Sequence, residues 1–382
     1  MHGGQSEIEN LPAPPISVRA AIPLESIEQG WEQLTHDEVA NTAYQRYSNH
    51  TVAVLEDKFS QLEGADHCLA FNSGMTACYA IFRSLTEVGD HIVTQHAIYH
   101  EISDLLSYGV KPSGVDVTFV DGDSVKDFVT AITDRTKLVF VESPTNPVLS
   151  DVPIRELSHA CREREVILVV DNTLLTPLYQ NPLRLGAALT LYSTTKTING
   201  HGDVMGGVVC TNDIRLFRRL SAYRDLTGTI LDPFSAWLTI RGLRTLPLRL
   251  ERHSVNTEFV VGLIRANFGK FPVRTAKDAD HFIENNITGV PGVVSLTLPS
   301  AACGTEFLRN LRLLRVATTF GNLESLAYHF GTFTRKSRDL SDLGIGYGLV
   351  RLSIGIEDPV QIYRDIASAL SAVVDFINKS GY

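Results

Sequence analysis

The chain has 382 residues, of which 44% are hydrophobic and 20% charged, and its formal net charge at pH 7 is −9. This composition excludes a disordered chain, and the acidic balance disfavours nucleic acid and anionic membranes as partners. No apolar run reaches the roughly 20 residues of a membrane-spanning helix, and the polar N-terminus has no signal-peptide core, so we predict a cytoplasmic protein of two or three domains. The five cysteines are scattered without a CxxC pair, which indicates reduced core thiols and no metal site.

Residues 1–48 contain several prolines and one acidic, weakly helical stretch, and we predict an extended arm that packs on a neighbouring subunit. Tyr44 and Arg46 lie at the end of this arm. A tyrosine and an arginine in a loop could simply cover the surface, so the residues alone leave their role open. The next stretch has apolar residues at helical spacing, which predicts a helix capped by Thr51 and ended by Gly64.

Short apolar strands alternate with helices through the middle of the chain. The predicted strands are 68–71, 91–94, 115–120, 137–141 and 166–170, with further apolar runs at 187–191 and 208–210. Of the predicted helices between them, the first ends at residue 85, and the next three span 99–108, 125–132 and 154–164. Continuous apolar strands separated by helices are typical of a large, mainly parallel sheet that is covered on both faces.

Polar side chains gather where these strands end. Ser73, Asn146 and Asp171 each follow a strand, and so does the stretch 193–207, which contains Lys196. Ligands of such sheets bind beyond the carboxyl ends of the strands, so we expect a binding site there. The hydroxyls and glycines around the lysine are suited to a phosphate, although a polar turn between two strands would explain this stretch when it is taken alone.

The second half of the chain predicts a smaller α/β domain. A helix at 213–223 and a long helical region from 235 to 268 lead to strands at 293–298 and 349–354 and a closing helix at 359–378. Arg351 lies within an apolar strand, where it is either an ion-pair partner in the core or a clamp for a carboxylate. The division that we predict is an arm at 1–48, a cofactor domain at 49–247 and a small domain at 248–382.

The polar residues at the strand ends together fit pyridoxal 5′-phosphate (PLP). A buried Asp171 needs a cationic partner, which the protonated pyridine nitrogen would supply, and Lys196 offers the amine for a Schiff base. Tyr99, at the start of a helix, can stack on the ring. The predicted phosphate-binding residues are Ser73, Gly74, Met75, Ser193 and Thr195.

A set of motifs in fixed order extends this pattern over residues 41–356. The motifs are Tyr44-x-Arg46, Ser73-Gly74-Met75, Tyr99, the run 142–147 (ESPTNP), Asp171-Asn172, Ser193-x-Thr195-Lys196, Gly200-His201-x-Asp203 and Arg351-Leu352-Ser353-x-Gly355. In this set the chain resembles the cystathionine γ-synthase/γ-lyase-like family of PLP-dependent enzymes of cysteine and methionine metabolism. The resemblance implies a fold-type I subunit and a homotetramer of two dimers with shared active sites, in which Tyr44 and Arg46 reach the phosphate of the neighbour's cofactor.

The resemblance also implies the chemistry. Lys196 would hold the cofactor and then move protons at the α-carbon, Tyr99 would stack on the ring and assist the leaving group, and Arg351, with Asn146 nearby, would clamp the substrate carboxylate. The implied reaction is elimination or replacement of a β- or γ-substituent on a sulfur-containing or O-substituted homoserine-type amino acid. The first alternative is a C–S lyase of the cystathionine β-lyase type, and the second is a fold-type I aminotransferase.

Departures from the family pattern concern the substrate. His100, Glu101 and Ile102 stand where the family usually has two glycines and a threonine, and we hypothesise that Glu101 or His100 recognises a cationic or polar leaving group. A glutamate facing outward is the alternative. Thr319 keeps a hydroxyl that the family has in its substrate pocket, whereas Thr318 replaces a glutamate that reads the distal amino group of cystathionine, which disfavours plain cystathionine chemistry.

Overall fold

The computed structural model describes residues 14–35, 43–333, 340 and 345–380. Parts of the predicted arm, 1–13 and 36–42, lie outside the described residues. Within the described ranges, no helix combines the length and the apolar character needed to cross a membrane.

A sheet of seven strands, in the order β1-β7-β6-β5-β4-β2-β3, forms the larger part of the molecule. Its strands are β1 (His67–Phe71), β2 (His91–Gln95), β3 (Asp116–Val120), β4 (Thr136–Glu142), β5 (Ile167–Asp171), β6 (Leu189–Ser193) and β7 (Gly207–Thr211). The neighbouring pairs β3-β2, β2-β4, β4-β5 and β5-β6 are parallel, and β7 runs antiparallel to its neighbours β6 and β1. The predicted mainly parallel sheet is therefore confirmed.

The alternation of side chains along the strands builds a core on each face of this sheet. In β4, Leu138 and Phe140 belong to one buried cluster, whereas Val139 and Val141 belong to another on the opposite face. Both faces are covered by helices, so the inner strands are buried along nearly their whole length, whereas the edge strand β3 exposes Asp116 and Thr118. This burial explains why the sequences of the inner strands read as continuous apolar runs instead of alternating ones.

The helices before the second sheet carry the connections of the large sheet, and most of them cover this core, whereas the first of them lies in the arm with Ile27 exposed. They are α1 (Ile27–Thr35), α2 (His50–Glu63), α3 (Gly74–Leu85), α4 (His100–Asp104), α5 (Val125–Ala131), α6 (Ile154–Arg162), α7 (Thr176–Tyr179), α8 (Ile214–Thr227) and α9 (Pro233–Leu243). The helix predicted from residue 99 to 108 is instead the short α4 continued by a π-helical segment, Leu105–Val110.

The predicted cap of α2 is wrong. The cap is Asn49, whose side chain accepts hydrogen bonds from the backbone amides of Thr51 and Val52. The Thr51 hydroxyl instead donates to the carbonyl of Pro15 and accepts from the amide of Ser17, which ties the arm to the helix. The C-terminal signal is confirmed, because Gly64 ends the helix at a φ of 71°, a left-handed conformation that suits glycine.

A second sheet of five strands, in the order β10-β11-β12-β9-β8, lies in the C-terminal part. Its strands are β8 (Val273–Arg274), β9 (Val293–Thr297), β10 (Arg315–Val316), β11 (Leu326–His329) and β12 (Leu349–Ser353), and the accompanying helices are α10 (Leu246–Asn267), α11 (Ala301–Asn310), α12 (Phe330–Phe333) and α13 (Pro359–Ser380). Its buried cluster is separate from those of the large sheet. The domain limits at 48 and 247 stay predictions.

Candidate active site

A cavity of about 200 Å³ opens to solvent where the parallel strands of the large sheet end. The predicted site residues that line it are Ser73, Gly74, Met75, Tyr99, Asn146, Asp171, Ser193, Thr195, Lys196 and Arg351. Five separate strands of the large sheet and one of the small sheet contribute these residues. The convergence that the sequence predicted at the strand ends is therefore present in the structure.

One end of the cavity is formed by the turn between β1 and α3. Ser73 caps α3, and the first amides of the helix, at Gly74 and Met75, have no acceptor within the helix. A Cβ atom at Gly74 would lie 2.9 Å from the Cβ of Ser193, and one at Gly207 would lie 2.4 Å from the carbonyl oxygen of Ser73. Glycine at both positions lets α3 approach β6 and β7 closely, which leaves a concave surface of amides and hydroxyls suited to an anion.

The loop that carries the lysine is held by hydroxyl contacts on both sides. The Thr195 hydroxyl accepts a hydrogen bond from the amide of Gly206 at 3.1 Å. The amide of Ser193 donates to the hydroxyl of Thr173 at 2.8 Å. These contacts fix the direction in which residues 193–196 enter the cavity.

Asp171, the last residue of β5, is a buried carboxylate. The backbone amide of Thr173 donates to it at 2.9 Å. Burial raises the pKa of Asp171 to about 6, against the opposing effects of the Thr173 hydrogen bonds and the charge of Lys196. A cation placed against this carboxylate would return it to the ionised form.

Lys196 lies in the same cavity, with its Nζ 3.3 Å from the Thr319 hydroxyl and 5.4 Å from the centre of the Phe320 ring. Burial, together with the positive charge of Arg351, lowers the pKa of Lys196 to about 8, although Asp171 acts in the other direction. A larger fraction of the amine is therefore neutral near physiological pH, which is the form that attacks a carbonyl.

Arg351 in β12 is buried and held by neutral acceptors. Its guanidinium donates to the Asn146 side-chain oxygen at 3.1 Å and to the carbonyls of Thr318 and Thr319 at 3.0 Å each. Burial lowers its pKa to about 10. None of these acceptors carries a charge, and the described residues provide Arg351 with no charged hydrogen-bond acceptor. This arrangement favours Arg351 as a clamp for a carboxylate over Arg351 as a partner in a core ion pair.

The ring of Tyr99 lines the cavity, and its amide donates to the carboxylate of Glu142 at 2.7 Å. Burial, with the negative charge of Glu101, raises the pKa of the Tyr99 phenol. Glu142 itself lines the cavity and was not predicted as a site residue. The sequence signal was its position directly after the predicted strand 137–141, just as Asp171 follows the predicted strand 166–170, and the structure makes the two residues neighbours in the sheet.

Four predicted residues do not line the cavity within this chain, and one of them, Thr319, still contacts the Lys196 amine through its hydroxyl; the other three are Glu101, Tyr44 and Arg46. Glu101 has a side chain that is 48% exposed and pairs with His100 at 3.3 Å. Arg46 packs against the ring of Tyr44 and donates to the carbonyl of Asp225. The functional roles given to all four stay predictions.

The residues present fit PLP. The cavity offers an anion site at one end, a buried carboxylate for a protonated ring nitrogen, a deprotonable amine and an aromatic ring for stacking. Within the part of the chain that the structure describes, no group of three or more histidine, cysteine or carboxylate side chains could hold a metal ion.

Known proteins resemble the chain over nearly its whole length. Residues 1–371 match the family model described as "Cys/Met metabolism PLP-dependent enzyme". The chain is 35% identical over 363 residues to cystathionine γ-lyase of Macaca fascicularis, covering 93% of this chain and 89% of that protein. It is 32% identical over 373 residues to L-methionine γ-lyase of Fusobacterium nucleatum subsp. polymorphum, covering 94% of each.

A solved structure shows the same architecture. The crystal structure of cystathionine gamma synthase from Xanthomonas oryzae pv. oryzae, in complex with aminoacrylate and cysteine, superposes with a TM-score of 0.86. The two chains are 29% identical, and the match covers 95% of this chain and 94% of that one. This likeness confirms the expected fold-type I architecture.

Proposed function

The chain belongs to the Cys/Met metabolism family of PLP-dependent enzymes, and on this premise we propose that it removes or replaces the γ-substituent of a sulfur-containing or O-substituted homoserine-type amino acid. It is a PLP-dependent enzyme of the lyase and transferase kind. The observation that carries the proposal is the meeting of Lys196, Asp171 and Arg351 in one cavity. A β-elimination at a C–S bond would use the same residues and is the alternative.

The cofactor end of the cavity would bind PLP through residues of the large sheet. Bound PLP supplies a pyridine ring that withdraws electrons from the α-carbon of the amino acid. Asp171 would pair with the ring nitrogen and keep it protonated. The amides at the start of α3 and the hydroxyls of Ser193 and Thr195 would hold the phosphate.

The substrate would be oriented by its α-carboxylate. Arg351 has a planar guanidinium, and such a group binds carboxylates through two parallel hydrogen bonds. Asn146 contacts the same guanidinium at 3.1 Å and would share the carboxylate. This contact would place the α-carbon beside Lys196.

Proton transfer would fall to Lys196 and Tyr99. The lysine amine, neutral in part because burial lowers its pKa to about 8, would take the α-proton and, after passing it on, a proton from the β-carbon, whose C–H electrons expel the γ-substituent. It would later return a proton to the product. The Thr319 hydroxyl, 3.3 Å from Nζ, would steady the amine between these transfers. The phenol of Tyr99 would donate a proton to the leaving group, because burial raises its pKa and keeps it protonated.

Substrate choice is proposed to depend on Glu101. Its charge raises the pKa of both Tyr99 and Tyr328, and these two phenols also act on the Arg351 guanidinium. Thr318, at the cavity wall, brings no charge. A substrate with a carboxylate at Arg351 and a cation at its distal end would match this distribution of charge.

Two γ-thioethers of equal length test this point. S-(2-aminoethyl)-homocysteine carries a distal ammonium, and S-propyl-homocysteine carries a methyl in its place. We expect the first to have the higher kcat/KM, and Glu101→Gln to reduce that preference while Glu101→Asp keeps most of it. Equal preference in the unchanged protein and in Glu101→Gln would remove the role of Glu101.

The assembly and the location of the protein are part of the proposal. We infer a homotetramer of two dimers in the cytoplasm, with an amino acid as the small-molecule substrate. Tyr44 is 45% exposed and neither it nor Arg46 lines the cavity of its own chain, which supports a role at the site of a neighbouring subunit.

The decisive experiment measures cofactor attachment and products together. The purified protein should turn yellow with PLP, and borohydride should fix the cofactor to Lys196, with Lys196→Ala as the control that stays unlabelled. Methionine, cystathionine, cysteine and O-acetylhomoserine would then be offered with and without a thiol. A four-carbon keto acid with ammonia reports γ-elimination, pyruvate reports β-elimination, and a new thioether reports replacement. Amino exchange without release of a leaving group would overturn the proposal.

A further inference from the structure

Glu142 joins two loops that line the cavity and follow the neighbouring strands β2 and β4. It is the last residue of β4 and is 5% exposed. Its backbone is fixed by Gln95 of β2, whose side-chain amide donates to the Glu142 carbonyl at 3.1 Å and accepts from the Glu142 amide at 3.2 Å. The carboxylate therefore extends from the end of an inner strand whose backbone is hydrogen-bonded at this residue.

The two oxygens of this carboxylate serve different loops. Oε2 accepts the backbone amide of Tyr99, in the loop after β2, at 2.7 Å. Oε1 accepts the backbone amide of Asn146, in the loop after β4, at 3.1 Å. Hydrogen bonds to a carboxylate are stronger than those between neutral groups, so one side chain sets the relative position of both loops.

Each loop carries a side chain that the proposed reaction needs. The first places the Tyr99 ring at the cavity wall, and the second places the Asn146 oxygen 3.1 Å from the Arg351 guanidinium. We propose that Glu142 is a positioning residue. It fixes the position of the ring-stacking tyrosine relative to the carboxylate-binding pair of Asn146 and Arg351. This inference rests on the proposed function.

The surroundings explain why an acid is needed at this position. Both acceptor sites of the side chain face backbone N–H groups, and glutamine can accept at only one of them, because its NH₂ group would oppose the other N–H. Asp171 lies beside Glu142 in the sheet, and burial together with the Asp171 charge raises the pKa of Glu142 well above its usual range. The two amide donors and the nearby Arg351 guanidinium act in the opposite direction and favour the carboxylate.

The test compares Glu142→Gln with a buried acid outside the cavity. Asp151 also accepts a backbone amide, that of His281, and a side-chain amide, that of Asn285, so Asp151→Asn is the matched control for loss of a buried carboxylate. Hydrogen exchange of the PLP-loaded protein would be followed in peptides that contain Tyr99 and Asn146. We expect protection of at least one of these amides to fall about tenfold in Glu142→Gln and to stay unchanged in Asp151→Asn.

Kinetics separate positioning from general damage to the fold. Glu142→Gln should raise KM for the amino acid about tenfold, with a smaller effect on kcat, and should weaken the circular dichroism of the cofactor band. In an Asn146→Ala background the same substitution should no longer raise KM, because its effect on the substrate passes through Asn146, but it should still alter the cofactor band through Tyr99.

Two results would overturn the inference. The first is unchanged exchange at both amides in Glu142→Gln, and the second is a rise in KM that multiplies with that of Asn146→Ala. Failure of the proposed function is a separate outcome, in which the unchanged protein binds no PLP or turns over no amino acid. Exchange in the unloaded protein would then still report whether Glu142 holds the two loops.

Discussion

Lys196 and Arg351 line the same cavity, and the positive charge of Arg351 acts on the lysine. Arg351 has only neutral hydrogen-bond acceptors among the described residues, so its charge is available to a substrate carboxylate and also acts on the lysine. Together with burial, it lowers the pKa of Lys196 to about 8. The residue that would bind the substrate therefore also helps to prepare the amine that would bind the cofactor.

The rate of PLP loading should report this coupling. Because only the neutral amine attacks the aldehyde, we expect the loading rate of the cofactor-free protein to rise with pH around a midpoint near 8. Arg351→Gln removes one of the two causes that lower the Lys196 pKa. This pKa should therefore rise, and the midpoint of the loading rate should move to higher pH. The shift should be partial, because burial is the larger cause. Stopped-flow absorbance measures it, and an unchanged midpoint in Arg351→Gln would contradict the coupling.

At the scale of elements, the site depends on close contact between strand and helix. Gly207 begins β7 next to the turn before α3, and the Cβ of any other residue there would lie 2.4 Å from a backbone oxygen of Ser73. The atoms that this Cβ would meet belong to the backbone, which cannot move aside as a flexible side chain can. The anion site at the start of α3 and the packing of the large sheet are therefore linked at one glycine.

Gly207→Ala should lower both PLP affinity and the free energy of unfolding, because β7 and the start of α3 must separate. Gly262 in α10 is the control, since nothing lies within 4 Å of a Cβ placed there. Gly262→Ala should be neutral or stabilise the protein by up to about 1 kcal/mol, as a glycine replaced inside a helix does. Fluorescence titration with PLP and urea unfolding measure the two effects, and equal behaviour of the two variants would be inconsistent with the contact.

A buried acid links another pair of elements. Glu63, at the end of α2, accepts hydrogen bonds from the hydroxyls of Thr190 and Tyr192 in β6 at 3.2 and 2.5 Å. Burial raises the pKa of Glu63 to about 8, against the effect of these hydrogen bonds. The folded protein therefore keeps a proton there that the unfolded chain releases near its usual pKa of 4.5.

Stability should fall as pH rises through this range. The contribution of Glu63 is fully present below about 4.5, decreases while only the unfolded chain is ionised, and is lost once pH passes about 8. Glu63→Gln should remove this part of the decline, so the variant should gain stability relative to the unchanged protein between pH 5 and 8. Glu156→Gln, on the exposed face of α6, is the control. Urea unfolding at several pH values measures the difference, and parallel curves would argue against a buried, protonated Glu63.

For the molecule as a whole, the sequence predicted what depends on local pattern. The large sheet follows from apolar strands that alternate with helices, and most of the site follows from polar residues at the ends of those strands. β8, β10 and β11 were missed because strands of two to four residues exist only through their partners. Arg351 was ambiguous for the same reason, since its contact Asn146 is 205 residues away.

The features of the site that the sequence could not predict depend on the direction of side chains or on a second chain. Glu142 lies in a motif that the sequence made conspicuous, but its two acceptors could be recognised only after the loops beyond β2 and β4 were placed. The role of Tyr44 and Arg46 is of another kind. They lie outside the cavity of their own chain, so the shared site that we propose would be a property of the assembly.

Mixing two inactive variants tests the shared site. Lys196→Ala lacks the amine, and Arg46→Ala lacks the arm residue proposed to reach the neighbour. In a dimer of one of each, the site built around the intact Lys196 receives the intact Arg46 of the other chain, whereas the second site lacks both. Random mixing makes half of the dimers hybrid, so about one site in four should become active. Native mass spectrometry confirms exchange of subunits while turnover is measured. Hybrid dimers without regained turnover would place the function of Arg46 within its own chain.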